Sequence, residues 1–191
     1  MLEVGAGIGG TTRALIDDSV LDWVCLEPDP VLADIIRSDI KVGKLPAVCQ
    51  VVNDRLPSPS LKVASFDTLL YIDVLEHIEQ DKEELDHAFT YLRKNGVLVV
   101  LSPAHNWLFS PFDEALGHFR RYSSKSLTSL TPLGARIVTV EYLDSIGLFA
   151  SWANRLFLKQ REPTQNQIAF WDNVLVPASR FIDPITCLLY T

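Results

Sequence analysis

Residues 2–10 read Leu2-Glu3-Val4-Gly5-Ala6-Gly7-Ile8-Gly9-Gly10, an apolar strand end running into a turn that satisfies GxGxxG and GxGxG together. Glycine opens backbone torsions closed to other residues and leaves no side chain between a turn and whatever approaches it. A helix is expected near 11–18, and its first amides have no intrahelical partner. A second apolar run, Leu21 to Leu26, ends at Glu27-Pro28-Asp29-Pro30, where the prolines close a strand and favour a new helix start. Strand, glycine turn, helix, strand is how a nucleotide-binding α/β sheet opens. The alternative is a purely structural turn.

Glu27 lies 22 residues beyond Gly5, at the tip of the second strand. A carboxylate there can accept both hydroxyl hydrogens of a ribose, which points to an adenosine ligand, although a solvated acid leading a helix would look the same. These features leave NAD and S-adenosylmethionine both open. Glu3 favours the second, because an acid before the turn attracts an ammonium and sits badly beside a pyrophosphate. The competing reading makes Glu3 an outward-pointing structural residue. Asp73, ending the fourth strand, is a further candidate for the amino-acid portion. Asp54 is a candidate for the adenine amine, or an ordinary loop acid.

Downstream, Leu32, Ile35, Ile36 and Ile40 give a helical stripe over about 30–40, and Ala47 to Val52 a third strand. Phe66 to Ile72 is the fourth strand. A helix over Asp81–Leu92 is expected to stop at Arg93-Lys94-Asn95-Gly96, and Val97 to Leu101 is the fifth strand. An irregular stretch, 103–122, precedes a helix capped by Ser123 or Ser124 and running to about 131. Ala135 to Leu143 is the expected sixth strand, 146–181 reads as helices and a loop, and Thr186 to Tyr190 as the start of a last strand.

A net charge of −7 supplies no broad positive field, so general nucleic-acid binding is disfavoured. Cys25, Cys49 and Cys187 are isolated, which suggests neither a zinc knuckle nor a disulfide framework and fits a reducing, cytoplasmic setting. No apolar run approaches the roughly 20 residues that span a bilayer, and no signal core precedes the first strand.

EVGAGIGG at 3–10, CLEPDP at 25–30, FDTLLYIDVLEHI at 66–78 and LRKNGVLVVLSPAH at 92–105 resemble the class I S-adenosylmethionine-dependent methyltransferase family, in particular small bacterial-type methyltransferase-domain proteins. WLFSPFDEALGHFRRYS at 107–123 resembles the region after strand five in a narrower subgroup. The resemblance implies a Rossmann-like α/β fold with a mainly parallel sheet and an antiparallel last strand, here truncated. It implies S-adenosylmethionine as cofactor, with Gly5, Ala6, Gly7 and Gly9 lining the methionine and ribose and Glu27 holding the ribose diol. Asn53 and Asp54 match the adenine side, and Tyr71 to Val74 the wall near the sulfonium. The family's covering helix before the first strand is missing from the sequence. The expectation is therefore one domain over 1–191, without that cover and without a complete last strand.

A sulfonium methyl is already activated, so a base is needed only where the acceptor keeps its proton. His77, His105 and His118 are the acid/base candidates, each with a structural alternative as helix cap, loop packing or loop lock. Arg120 and Arg121 can grip an anionic substrate while Tyr122 orients it, unless Asp113 and one arginine simply pair. Asp113, His118 and His105 lack a metal-binding spacing, and no metal is expected. Trp107, Leu108, Phe109 and Phe112, with apolar residues of 148–158, suit a partly apolar acceptor, small or lipid-linked, or equally a homo-oligomer interface. The expected activity is methyl transfer. The alternatives are a cofactor-binding domain without catalysis and an NAD-dependent oxidoreductase.

Overall fold

The two central strands β1 (Leu2–Val4) and β2 (Trp23–Leu26) are buried throughout, as expected of parallel strands covered on both faces. The computed structural model describes residues 1–144, 147–148 and 169–186, in two compact units, Met1–Ser102 and Pro103–Thr191. In the first unit β3 (Cys49–Val52), β4 (Phe66–Ile72) and β5 (Leu92–Leu101) complete a five-stranded parallel sheet of order β3-β2-β1-β4-β5. The chain leaves β1 toward β2 on one side and returns to β4 on the other. The carboxyl end of β1 is therefore a topological switch point, where a crevice opens in sheets of this kind.

Helix α1 (Gly10–Leu15) is shorter than the expected 11–18. Asp17 accepts from the amide and hydroxyl of Ser19, a local turn that competes with another helical turn. Helix α2 (Pro30–Lys41) begins as its sequence predicts: Asp29 caps the amides of Val31 and Leu32, and Pro30 stands in the first turn. It buries Ala33 and Ile36, and Ile36 packs with Ala6, Trp23, Cys25, Leu45, Cys49 and Leu70 in one core cluster.

Helix α3 (Asp81–Tyr91) corrects the expected stop at Gly96. Its last carbonyls, Thr90 and Tyr91, are taken by the amides of Ala64 and Ser65, so Leu92 is already extended and opposite Phe66. Residues 93–96 bulge out of β5, with Asn95 at φ 65°. Gly96 serves close approach: a Cβ there would stand 3.0 Å from the Arg93 carbonyl and 3.1 Å from that of Asp67.

In the second unit the described helices are α4 (Pro111–Ala115), α5 (Ser124–Thr128) and α6 (Val176–Thr186), the last preceded by a π-helical turn at Trp171–Leu175. α5 ends before the expected 131. Ala135–Leu143 is not a strand either: no described strand forms a ladder with it, and Val138 and Leu143 are exposed. Strand propensity without a ladder partner leaves an extended run irregular. The described strands are all parallel, Thr186 closes α6, and the rest of the expected last strand, 187–190, lies outside the described residues, as do 149–168 of the expected helical stretch.

Tyr91 anchors the loop before β4, its hydroxyl accepting from the Ser58 amide at 2.9 Å and donating to the Ser58 carbonyl at 3.1 Å. Replacement Tyr91→Phe leaves the Ser58 amide unpaired, while the Ser58 carbonyl keeps the Leu61 amide, and is expected to lower unfolding free energy by about 1–3 kcal/mol, read by urea denaturation.

Candidate functional site

The turn after β1 is held to the sheet by its own backbone. The amides of Gly5 and Ala6 both donate to the Leu26 carbonyl, at 2.8 and 3.2 Å, and Gly9 donates to Ala6. Gly5, Gly7 and Gly9 all take positive φ, at 67°, 57° and 78°. Their reasons differ. A Cβ on Gly5 would stand 2.7 Å from a Val74 methyl, and one on Gly9 3.2 Å from Leu45, whereas a Cβ on Gly7 would meet nothing within 4 Å. Gly7 therefore faces open space at the switch point.

Glu27 crosses from the tip of β2 to this turn. Only 5% exposed, it accepts the Gly7 amide on Oε2 at 2.7 Å and the Asp29 amide on Oε1 at 2.9 Å. One backbone donor on each oxygen fixes the carboxylate plane, and an ionised carboxylate has lone pairs left for further hydroxyl donors. Asn53 supports the same corner by donating to the carbonyls of Glu27 and Pro28. Asp54 accepts from the Arg55 amide and the Ser58 hydroxyl. These hydrogen bonds, led by Ser58, hold its carboxyl below the usual range.

Asp73 leaves β4 at φ 53°, a costly torsion for a residue with a side chain, with its amide on the Leu101 carbonyl. The next residue is Val74, the one that crowds Gly5, and His77 follows at the exposed end of a short turn over Leu75–His77. Glu3 is not at the rim: it is 2% exposed, and its Oε2 accepts from the Thr12 hydroxyl and the Trp23 indole nitrogen. Thr12 and Trp23 escaped the sequence reading. The available signal was an acid inside an apolar strand, which requires donors nearby.

In the second unit the loop residues gather on Asp113, which is fully buried. Its oxygens accept from the Ser110 amide and hydroxyl, from Arg121 Nε at 2.7 Å and Nη2 at 3.1 Å, and from His118 Nδ1 at 3.2 Å. Burial alone would raise Asp113, but the bonds and charge of Arg121, with Ser110 and His118, leave its carboxyl below the usual range. Arg121 is thus committed to the loop's own acid. Arg120 lies 5.8 Å from the Phe119 ring centre. Tyr122 is 4% exposed and pairs through its backbone with Pro103 and His105.

His105 sits at φ 65° with its ring stacked on Tyr142, centres 4.9 Å apart, and tilted against Trp107 at 5.8 Å. Burial, then the Arg121 charge, push its pKa down, so the ring is neutral at pH 7. Trp107 is 53% exposed.

Two variants separate the glycine roles. Gly5→Ala is expected to destabilise by about 1–3 kcal/mol through the Val74 clash in addition to backbone strain, partly relieved by Val74→Ala. Gly7→Ala carries only the torsional cost of about 1–2 kcal/mol. Urea titrations compare them. For the loop, Asp113→Ala is expected to cost about 3 kcal/mol or more, since it strands a mostly buried arginine. Because the folded Asp113 is the stronger acid, its contribution is complete above the unfolded carboxylate value and is lost as pH falls through its own lower one. Trp107 fluorescence should therefore hold until below about pH 4.

The methyltransferase-domain family profile matches residues 2–98, half of the chain and nearly all of the first unit. A sequence search of curated proteins finds no match. Among solved structures, the YcgJ protein from Bacillus subtilis superposes with a TM-score of 0.62 at 12% identity, over 95% of this chain and 80% of that one. A SAM-dependent methyltransferase from Archaeoglobus fulgidus gives 0.54 at 16%, over 68% of this chain and 57% of that one. The [4+2]-cyclase SpnF gives 0.62 at 14%, over 93% and 64%. The chain thus spans less than two thirds of the latter two, and likeness at such identities speaks for fold alone. The family match speaks further: with its glycine turn, strand-tip acid and parallel sheet, the chain belongs to the methyltransferase-domain family, whose cofactor is S-adenosylmethionine.

Proposed function

We propose that the chain transfers a methyl group from S-adenosylmethionine to a small-molecule or lipid-linked acceptor. The observation that carries the cofactor half is the Glu27 carboxylate, fixed by the Gly7 and Asp29 amides beside the open face of Gly7. That donor and acceptor set fits an adenosine carrying a cationic amino-acid arm. Glu27 accepts the two ribose hydroxyls on its remaining lone pairs. Gly5, Ala6, Gly7 and Gly9 let the backbone approach the ligand, Asn53 and Asp54 flank the adenine, and Asp73 meets the amino-acid arm. Glu3 acts on that arm through its field, because its carboxylate is enclosed.

When bound, S-adenosylmethionine supplies a methyl carbon already activated for displacement, so the protein has to orient the acceptor and exclude water. Bound there, the cofactor would supply that carbon to the acceptor's lone pair and keep the electrons of the broken sulfur–carbon bond on its sulfur. The proton released by an oxygen or nitrogen acceptor goes to a histidine. His105, neutral at pH 7, has a lone pair for it, and His118 is oriented by Asp113 through Nδ1. His77 is the third candidate. Trp107 and Phe119, 53% and 52% exposed, support an acceptor with an apolar part, and Arg120 one with an anionic part, Arg121 being held by Asp113. Among the described residues no helix is long and apolar enough to cross a membrane. Free, buried Cys25 and Cys49 support a reducing, cytoplasmic setting.

Calorimetric titration with S-adenosylmethionine, S-adenosylhomocysteine and NAD tests the reading. The first two are expected to bind. Glu27→Ala should weaken them by about 10- to 100-fold, and Glu27→Gln should also weaken them, because its amide must face one of the two backbone donors. Binding of NAD without S-adenosylmethionine would overturn the assignment.

A further inference from the structure

The glycine turn is pinned peptide by peptide. The Ala6–Gly7 peptide is fixed at both ends, its amide on Glu27 Oε2 at 2.7 Å and its carbonyl taken by the Gly9 amide at 2.9 Å. The Ile8–Gly9 peptide shares that second bond through its amide, and its carbonyl accepts from Arg13 Nη2 at 2.9 Å. Between the two lies Gly7, at φ 57° and with open space where a side chain would be, so packing does not restrain it and the bonds on either side do. The other arm of Arg13 reaches α2, where Nη1 lies 2.9 Å from Asp39 Oδ2. Asp39 is itself well held. Its Oδ1 pairs with Lys44 Nζ at 3.2 Å, and its carbonyl accepts the amides of Lys44 and Leu45 at 2.8 and 3.2 Å. Leu45, buried, is the residue that crowds Gly9, so the end of α2 meets the turn through packing as well as through the arginine.

An ion pair at the surface contributes little by itself, and the Arg13 side chain is 36% exposed. A guanidinium adds two arms fixed in one plane, so the pairing on α2 sets the direction of the donor on the turn. A turn with three left-handed glycines has many backbone conformations open to it, and a ligand has to select one of them. Each restraint present beforehand lowers that cost of binding. Glu27 restrains the turn from β2, and Arg13 restrains it from α1 and α2. We propose that Arg13, aimed by Asp39, is a positioning residue that holds the Ile8–Gly9 peptide, and with it the Gly7 amide on Glu27, in the conformation that receives the cofactor.

The inference rests on the S-adenosylmethionine reading. Two substitutions each keep one half of the arrangement. Arg13→Lys keeps a cation for Asp39 but has a single nitrogen in place of the fork, while Asp39→Asn removes the charge and keeps an oxygen to accept from Arg13 Nη1. Dissociation constants of S-adenosylmethionine and S-adenosylhomocysteine are measured by calorimetry, and amide hydrogen exchange is followed by NMR in the unliganded protein. Arg13→Lys is expected to weaken both ligands by about five- to tenfold. In the same variant the Gly9 amide is expected to exchange about tenfold faster, measured against the amide of Trp23, which bonds the Val48 carbonyl. Asp39→Asn is expected to stay within about twofold of wild type in both readouts. Equal losses in the two variants mark a structural ion pair and overturn the proposal, as does unchanged binding or unchanged Gly9 exchange in Arg13→Lys. Failure of wild type to bind either ligand would instead overturn the cofactor reading beneath it, with Gly9 exchange still reporting whether Arg13 holds the turn.

Discussion

Val74 fills the space in which a side chain at Gly5 would stand, and the chain can leave β1 only because Gly5 has none. The contact links two strand tips of the parallel sheet, since β1 and β4 are neighbours and each gives way to its loop at this level. Gly9 is set in the same way against Leu45, while Gly7 between them faces open space.

Polar groups then secure what packing began. Glu27 ties the turn to the tip of β2 through the Gly7 amide, while Glu3 ties α1 and β2 together from below. The two acids differ in kind. Glu27 is oriented by backbone donors and retains acceptor capacity. Glu3 is enclosed by side-chain donors.

The second unit applies similar physics to a loop. Asp113 collects a helix cap, a histidine and a two-pronged arginine on one buried carboxylate, so the residues around it have few ways to rearrange. His105 is constrained otherwise, by a strained torsion and by ring stacking. Rigid placement of this sort is useful where a proton must be taken from a defined direction.

Local chemistry was readable wherever a residue type has few physical uses. Glycines before a helix, prolines after Glu27 and the apolar Leu69–Ile72 of the fourth strand each predicted their element, because torsional freedom and burial are decided over a few residues. What depended on distant partners was not readable. Ala135–Leu143 has strand-forming residues but no ladder among the described residues. Gly96 resembles a helix stop and is a close-approach residue in a bulge. The donors of Glu3 come from a helix and another strand, and Arg121 turned inward to Asp113. Hydrogen bonds, ion pairs and strand ladders join residues far apart in the chain, so only the tertiary structure could decide which of the charged side chains seen in the sequence face a ligand and which hold the protein together.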